Sequence, residues 1–315
     1  MRNATDALQP GVRLDDYRLL DVLGGGGFSI VYLARHRRFG AHYVIKEYFP
    51  RKLAKRECDG AVTALSPDTE ARLNLGRKLF FQEASTLAEL KHPNIVNVVN
   101  FFRANGTVYM VMDYQEGANL QDYLKKYKGG LSEKFLRVVF PRLLNGLAAI
   151  HAQDLLHLDI KPGNIHIRRG GRPILLDFGA VHGFPQSRRE QPSQVVTPGF
   201  SAPEQYDPKG LLGPWTDIYS VGATMRACIE GTSPPSARQR LHKDQMVPAV
   251  VRFRKRYSQG LLAAIDSAME PDPTCRPKNV AAFRELLKAT DDAEDDSSLT
   301  ALERFLNMPI VLGKD

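Results

Sequence analysis

Two short polar runs in the second half of the chain carry side chains able to act together on a phosphate. His157-Leu158-Asp159-Ile160-Lys161-Pro162-Gly163-Asn164 holds a carboxylate that can take or steer a proton, an ammonium that can neutralise developing charge, and an amide oxygen. Thirteen positions past Asn164, Asp177-Phe178-Gly179 follows the apolar stretch 173–176 and offers a second carboxylate, the hard oxygen ligand that Mg2+ prefers. Nearer the N-terminus lies Leu23-Gly24-Gly25-Gly26-Gly27-Phe28-Ser29-Ile30-Val31-Tyr32. Glycines let a backbone approach a triphosphate closely, with their amides turned toward its oxygens. Tyr43-Val44-Ile45-Lys46-Glu47 then places a lysine inside an apolar run, and Glu83 is the carboxylate that could hold it. Each piece has a plain alternative: a glycine-rich hairpin, a snorkelling lysine, an exposed helix charge. The ordered set is far harder to explain that way.

These residues need elements to position them. Short runs rich in β-branched and aromatic residues at 17–22, 29–35 and 42–47 read as strands, so the glycine loop joins strand to strand, unlike a dinucleotide-binding turn. Residues 47–66 read as irregular and basic. A helical period through Leu79, Phe80, Glu83, Leu87 and Leu90 ends before His92-Pro93. Strands follow at 96–103 and 107–113. Beyond Gly117 helices dominate, clearest at 136–153, with further helical periods near 217–230, 259–269 and 280–289 and short strands around Ile165 and Ile174. A small sheet-rich half before a larger helical half predicts an α+β, bilobal fold with a crevice between the lobes. The expected division is a flexible arm over 1–13, a small lobe over 14–114, a large lobe over 115–290, and an acidic linker and tail over 291–315.

The ordered motifs resemble the eukaryotic-type protein kinase superfamily over roughly residues 17–287, and most of all bacterial serine/threonine kinases, a group of which carries Lys46-Glu47-Tyr48-Phe49-Pro50 after the strand. The resemblance implies ATP and Mg2+ (or Mn2+) as cofactors and a small antiparallel N-lobe with one key helix. It implies that Leu23, Gly24, Gly26, Val31 and Val44 line the nucleotide, and that Lys46 pairs with Glu83. Met112 would be the gatekeeper, with Asp113, Tyr114 and Gln115 as hinge and Asn119 near the ribose. His166 would lie beneath adenine as a neutral imidazole. Asp159 would be the catalytic base, Lys161 its helper, and Asn164 and Asp177 the metal ligands. Thr197-Pro198-Gly199-Phe200-Ser201-Ala202-Pro203-Glu204 resembles the end of an activation segment, Glu204 pairing with Arg276 and Asp217 bracing the catalytic loop. Lys161, and Thr197 beside it, favour serine or threonine over tyrosine as acceptor.

Three features depart from the pattern. Ser29 replaces the loop's third glycine, and the segment between Lys46 and Glu83 is long. Leu158 stands where an arginine commonly grips a phosphorylated loop, which predicts activity independent of that contact at Ser187 or Ser193. A net charge of +8 is dispersed rather than gathered, so no nucleic-acid partner is expected. No apolar run reaches membrane-spanning length, and Cys58, Cys228 and Cys275 share no metal-ligand spacing; both fit a cytoplasmic protein. The expected partners are protein substrates and ATP, with a regulatory partner on the long segment or the acidic tail. The competing readings are a pseudokinase serving as an ATP-binding scaffold and a small-molecule phosphotransferase or nucleotidyl transferase. Lys46, Asp159 and Asp177, whose loss would mark a pseudokinase, are all present.

Overall fold

The computed structural model describes residues 6–127, 129–177, 182–183 and 196–288. The chain divides into two units, Met1–Lys91 with Val96–Gln115, and His92–Ile95 with Glu116–Asp315.

The first unit is built on an antiparallel sheet of six strands: β1 (Arg13–Leu14), β2 (Tyr17–Gly25), β3 (Ser29–His36), β4 (His42–Tyr48), and, after a two-stranded hairpin and a helix, β7 (Val98–Ala104) and β8 (Thr107–Asp113). Their order is β1-β2-β3-β4-β8-β7. Because side chains alternate across a pleated strand, Lys46 and Glu47 face opposite sides of β4. Val31, Lys46 and Met110 are directly opposed across three strands, as are Val44 and Met112. One face therefore presents Val31, Val44, Lys46 and Met112. The other presents Glu47 with Tyr109, and Ile45 with Tyr32.

The hairpin consists of β5 (Ala54–Arg56) and β6 (Val62–Ala64) and lies within the stretch expected to be irregular. Its strands are three residues each, too short for a periodic signal. Helix α1 (Pro67–Glu89) begins about a dozen residues before the apolar period suggests. Pro67 occupies its first turn, where a missing N–H costs nothing, Asp68 and Glu70 complement the helix dipole, and Thr69 Oγ1 accepts the Ser66 N–H. Leu73, Phe80, Ala84 and Leu87 form its buried stripe.

The segment expected as a flexible arm makes packing and main-chain contacts in its described part, from Asp6 onward. Ala7 and Leu8 are buried, the Leu8 N–H donates to Tyr32 Oη at 3.1 Å, and the Gly11 N–H donates to the Leu19 carbonyl at 2.8 Å. Two apolar side chains and main-chain pairing hold what composition suggested was loose.

The second unit surrounds helix α3 (Glu133–His151), which follows β9 (Ala118–Asn119) and the short helix α2 (Leu120–Lys126). Nine residues of α3 are buried, and Ser132 caps it by accepting the Phe135 N–H. Strands β10 (Leu155–Leu156), β11 (Ile165–Arg168), β12 (Arg172–Leu175) and β13 (His182–Gly183) form two small sheets, β12-β11-β9 and β10-β13. Helices α4 (Pro214–Glu230), α5 (Ala237–His242), α6 (Ala249–Arg252), α7 (Gln259–Ala268) and α8 (Val280–Lys288) complete it. Helix α4 is buried on every side from Thr216 to Ile229 and ends at Gly231, whose φ of 81° a side chain would resist. Among the described residues no helix is long and apolar enough to cross a membrane.

Candidate active site

In the second unit the catalytic-type residues converge on the loop between β10 and β11. Asp159 is the hub. Lys161 Nζ donates to both of its oxygens, at 2.9 and 2.7 Å, Thr197 Oγ1 donates at 2.8 Å, and Asn164 Nδ2 donates to Oδ2 at 2.9 Å. Lys161 Nζ also donates to Thr197 Oγ1 at 3.1 Å, closing a triangle. Pro162–Asn164 form a tight 3-10 turn, and Asn164 Nδ2 donates again to the Asp159 carbonyl.

The loop is held in a conformation it would not adopt alone. Leu158 is buried with φ 60°, a left-handed backbone that is an outlier for a bulky residue. Asp217, at the start of α4, overrides that strain: its carboxylate accepts the His157 N–H at 2.9 Å and the Leu158 N–H at 2.8 Å. His151 Nε2 lies 2.8 Å from the same carboxylate, and Gln205 Nε2 donates to the Leu158 carbonyl at 2.9 Å. Burial alone would raise the Asp217 pKa; the hydrogen bonds and fields of His151 and His157 outweigh it and hold the carboxyl below its usual range. The Leu158 side chain packs with Leu156 and Leu212, an apolar contact.

His157 is fully buried beneath the loop. Its Nδ1 accepts the Asp159 N–H at 3.3 Å and its Nε2 is 3.2 Å from the Leu176 carbonyl, which assigns the proton to Nε2. Burial lowers its pKa, against the fields of Asp217 and Asp159. The unfolded chain therefore takes up a proton below about pH 6.5 that the folded chain refuses, so stability falls as pH drops through that value. His157→Asn keeps an acceptor near Nδ1 without a titrating ring. Thermal unfolding midpoints should fall less between pH 7 and pH 5 in this variant than in the parent, and an equal fall would contradict the assignment.

Asp177 is exposed and also left-handed, with φ 59°. The preceding Leu176 N–H donates to the Asn164 carbonyl at 2.8 Å, which ties Asp177 to the Asn164 turn. The other two residues of its motif, Phe178 and Gly179, lie outside the described residues, as do Ser187, Ser193 and the tail 291–315. These donors suit Mg2+. Asn164 commits its amide nitrogen to Asp159, which leaves its carbonyl oxygen as the atom that could meet a metal, and Asp177 could offer one hard carboxylate. Mg2+ needs only one or two protein carboxylates beside phosphates and water, and no group of three His, Cys, Asp or Glu among the described residues forms a denser site. Asn119 serves the local structure directly, since its Oδ1 accepts the Asp122 N–H at 2.9 Å and so caps α2. His166 pairs with Asn119 across β11 and β9 and abuts Gly117, where a Cβ would lie 2.2 Å from the Ile167 carbonyl.

The first unit carries the remaining candidates. Lys46 is buried on β4, its Nζ 5.6 Å from the Phe80 ring centroid. Glu83 lies one helical turn beyond Phe80 on α1, so the strand lysine and the helix glutamate approach the same turn. Gly24 is opposite Val31; a Cβ at Gly24, Gly26 or Gly27 would meet nothing within 4 Å, whereas one at Gly25 would lie 2.9 Å from the Ser29 carbonyl. Leu23 is exposed beside this open loop. Met112 is buried, and Asp113 accepts from Asn97 Nδ2 at 2.8 Å immediately before Tyr114 and Gln115.

A third cluster was also expected, and it forms. Arg276 Nη1 and Nη2 donate to the two oxygens of Glu204 at 2.8 and 3.0 Å, with Thr216 Oγ1 donating to Oε1 at 2.8 Å. The network that sequence reasoning missed centres on Glu47. This fully buried carboxylate accepts from Tyr32 Oη at 2.6 Å, Tyr109 Oη at 2.7 Å and Arg56 Nη2 at 2.6 Å.

Known proteins resemble this chain in sequence and fold. The family profile described as protein kinase domain matches residues 17–289. The chain is 30% identical over 308 residues to the serine/threonine-protein kinase STE20 of Candida glabrata, covering 96% of this chain and 31% of that one. It is 30% identical over 284 residues to the serine/threonine-protein kinase PknA of a Nostoc species, covering 87% and 46%. It is 28% identical over 271 residues to the CBL-interacting protein kinase 21 of rice, covering 85% and 48%. The chain thus spans half or less of the length of these relatives. A solved structure, "PpkA-294 apo form", superposes with a TM-score of 0.79 at 33% identity, covering 90% of this chain and all of that one.

Proposed function

Because the chain belongs to the protein kinase domain family, we propose that it transfers the γ-phosphoryl group of ATP to serine or threonine hydroxyls of proteins. The observation that carries this reading is the Asp159 hub, a carboxylate aligned by Lys161, Thr197 and Asn164. In this reading Asp159 accepts or orients the acceptor hydroxyl's proton, and Lys161 neutralises charge on the moving phosphoryl group. Lys46, held by Glu83, aligns the α- and β-phosphates. Asn164 and Asp177 would hold Mg2+, which when bound would supply positive charge against the phosphate oxygens. Leu23, Gly24, Gly26, Val31, Val44, Met112, Asp113 and Gln115 of the first unit would line the nucleotide, and Asn119 and His166 are the candidates for the same role in the second unit. Positioning and electrostatics supply most of the rate in phosphoryl transfer, which is why strain at Leu158 is worth holding.

Acceptor class is supported by Lys161 and its contact with Thr197. The test is phosphate incorporation from γ-labelled ATP into a generic protein acceptor, with Lys46→Ala as blank, followed by phosphoamino-acid analysis. Label on serine or threonine is expected. Label on tyrosine alone, or on a small molecule, would overturn the acceptor assignment, and nucleotide binding without incorporation would identify an ATP-binding scaffold.

A further inference from the structure

Glu47 follows the strand lysine, yet it faces the other side of the sheet and does different work. A buried carboxylate needs its lone pairs satisfied, and this one accepts three hydrogen bonds, from two tyrosines and one guanidinium. Burial, reinforced by the field of Glu47, raises the pKa of both Tyr32 and Tyr109, so both hydroxyls remain donors. The guanidinium belongs to Arg56 on β5, so the ion pair pins the inserted hairpin to the sheet. Arg56 is fastened twice more: Nη1 donates to the Gly60 carbonyl at 2.9 Å, and Nε donates to the Asp6 carbonyl. The Asp6 carboxylate pairs with Arg51.

The pinned hairpin reaches α1 at two points. Arg77 Nη2 donates to the Val62 carbonyl at 2.9 Å, and in the first turn the single Thr69 hydroxyl proton faces both the Ser66 carbonyl at 2.8 Å and, more distantly, the carbonyl of Leu53 just before β5 at 3.2 Å. The hairpin's far side is closed by the Val62 N–H, which donates to the Asn105 carbonyl at 2.8 Å in the turn between β7 and β8. Between these points Tyr48 packs on Phe80, ring centroids 5.7 Å apart, and its hydroxyl fills the space where Gly76 lacks a side chain. Arg77 precedes Glu83 by six residues, about 9 Å along a helix axis. The position of Glu83 is therefore referred back, through α1 and the hairpin, to the same strand that bears Lys46.

We propose that the β5–β6 hairpin is an internal brace for α1, locked by the Glu47–Arg56 pair, and that Glu47, Arg56 and Arg77 are positioning residues that set Glu83 for Lys46. The proposal rests on the roles given above to Lys46 and Glu83. It gives the long segment between them a role inside this chain. Placement of the glutamate helix, which another molecule or a phosphorylated loop would otherwise have to supply, is built in. The apolar contact at Leu158 points the same way.

The test uses the full chain with three variants: Arg56→Met, the neutral pair Glu47→Gln with Arg56→Gln, and Arg77→Met. Hydrogen exchange of the amides in 67–89 should speed up about tenfold in each, and kcat/KM for ATP should fall about 10–100-fold, the range for misplacing a positioned group. In a Glu83→Gln background Arg56→Met should lower kcat/KM less than about twofold further, because coupled residues are non-additive. Arg56→Met strands a buried carboxylate; if it does not fold, the neutral pair and Arg77→Met carry the test. Normal exchange in α1 and unchanged kinetics in those two variants would overturn the brace. So would equal losses with and without Glu83, which would indicate general destabilisation. If the parent chain binds nucleotide but transfers no phosphate, the proposed function fails separately. The brace is then judged by exchange in α1 and by nucleotide affinity, with the same expected direction.

Discussion

Replacing Asp159 by asparagine should lower kcat for phosphate transfer by about 10²–10⁴-fold, the range for losing a positioned general acid–base group, while nucleotide affinity stays within about twofold. Asparagine preserves the shape of the side chain but turns one acceptor into a donor. Both Asp159 oxygens accept hydrogen bonds, from the ammonium of Lys161, the hydroxyl of Thr197 and the amide of Asn164. An amide NH2 would confront at least one of these donors, so the hub loses alignment as well as basicity. The loop itself should survive, because its strained turn is held by Asp217 and Gln205 through backbone groups of 157–158. Steady-state kinetics, nucleotide titration and circular dichroism on the same preparation separate these effects. A variant that folds and turns over within about tenfold of the parent would remove Asp159 from the chemistry. Thr197→Val should fall between the two, since it deletes one donor to Asp159 and one acceptor for Lys161 and leaves the carboxylate in place.

Much of this was legible in the sequence because the relevant signals are local. The strands around the glycine loop, the lysine strand and the loop 157–164 are contiguous motifs, and each lies in the element its pattern predicts. Glu204 with Arg276, and Asp217 with the loop, were legible only through the resemblance, since 72 residues separate the first pair and about 60 the second. The Glu47 network had neither kind of signal. Its partners lie 9, 15 and 62 residues away, and Glu47 itself stands out only as one member of the run Lys46–Pro50. The docked segment 6–13 and the hairpin failed for a related reason. Short pieces with little periodicity are ordered by what they touch, and Leu8 finds Tyr32 only after the sheet has formed. Helix α1 begins six residues before Leu73, its first buried residue, and Ser66 and Thr69 close that first turn by local hydrogen bonds that carry no apolar period.

Arg276→Met should destabilise the second unit by about 3–5 kcal/mol, because it leaves the Glu204 carboxylate buried without its counter-charge. The Arg276 side chain is fully inaccessible and that of Glu204 is 6% exposed, so water cannot take over the lost interaction. The pair is bidentate, and Arg276 also donates to the Glu270 and Pro271 carbonyls while stacking 4.8 Å over the Tyr219 ring. One side chain thus ties the segment ending at Glu204 to α4 and to the turn before α8. At ordinary unfolding entropies for a unit of this size, the loss corresponds to a fall in Tm of roughly 6–20 °C. Because the deficit is an uncompensated charge, removing the partner should return part of it. The double variant Glu204→Gln with Arg276→Met should melt above Arg276→Met alone. If the double variant melts at or below the single one, the arginine acts by packing and by its carbonyl bonds, and the charge pair contributes nothing beyond them.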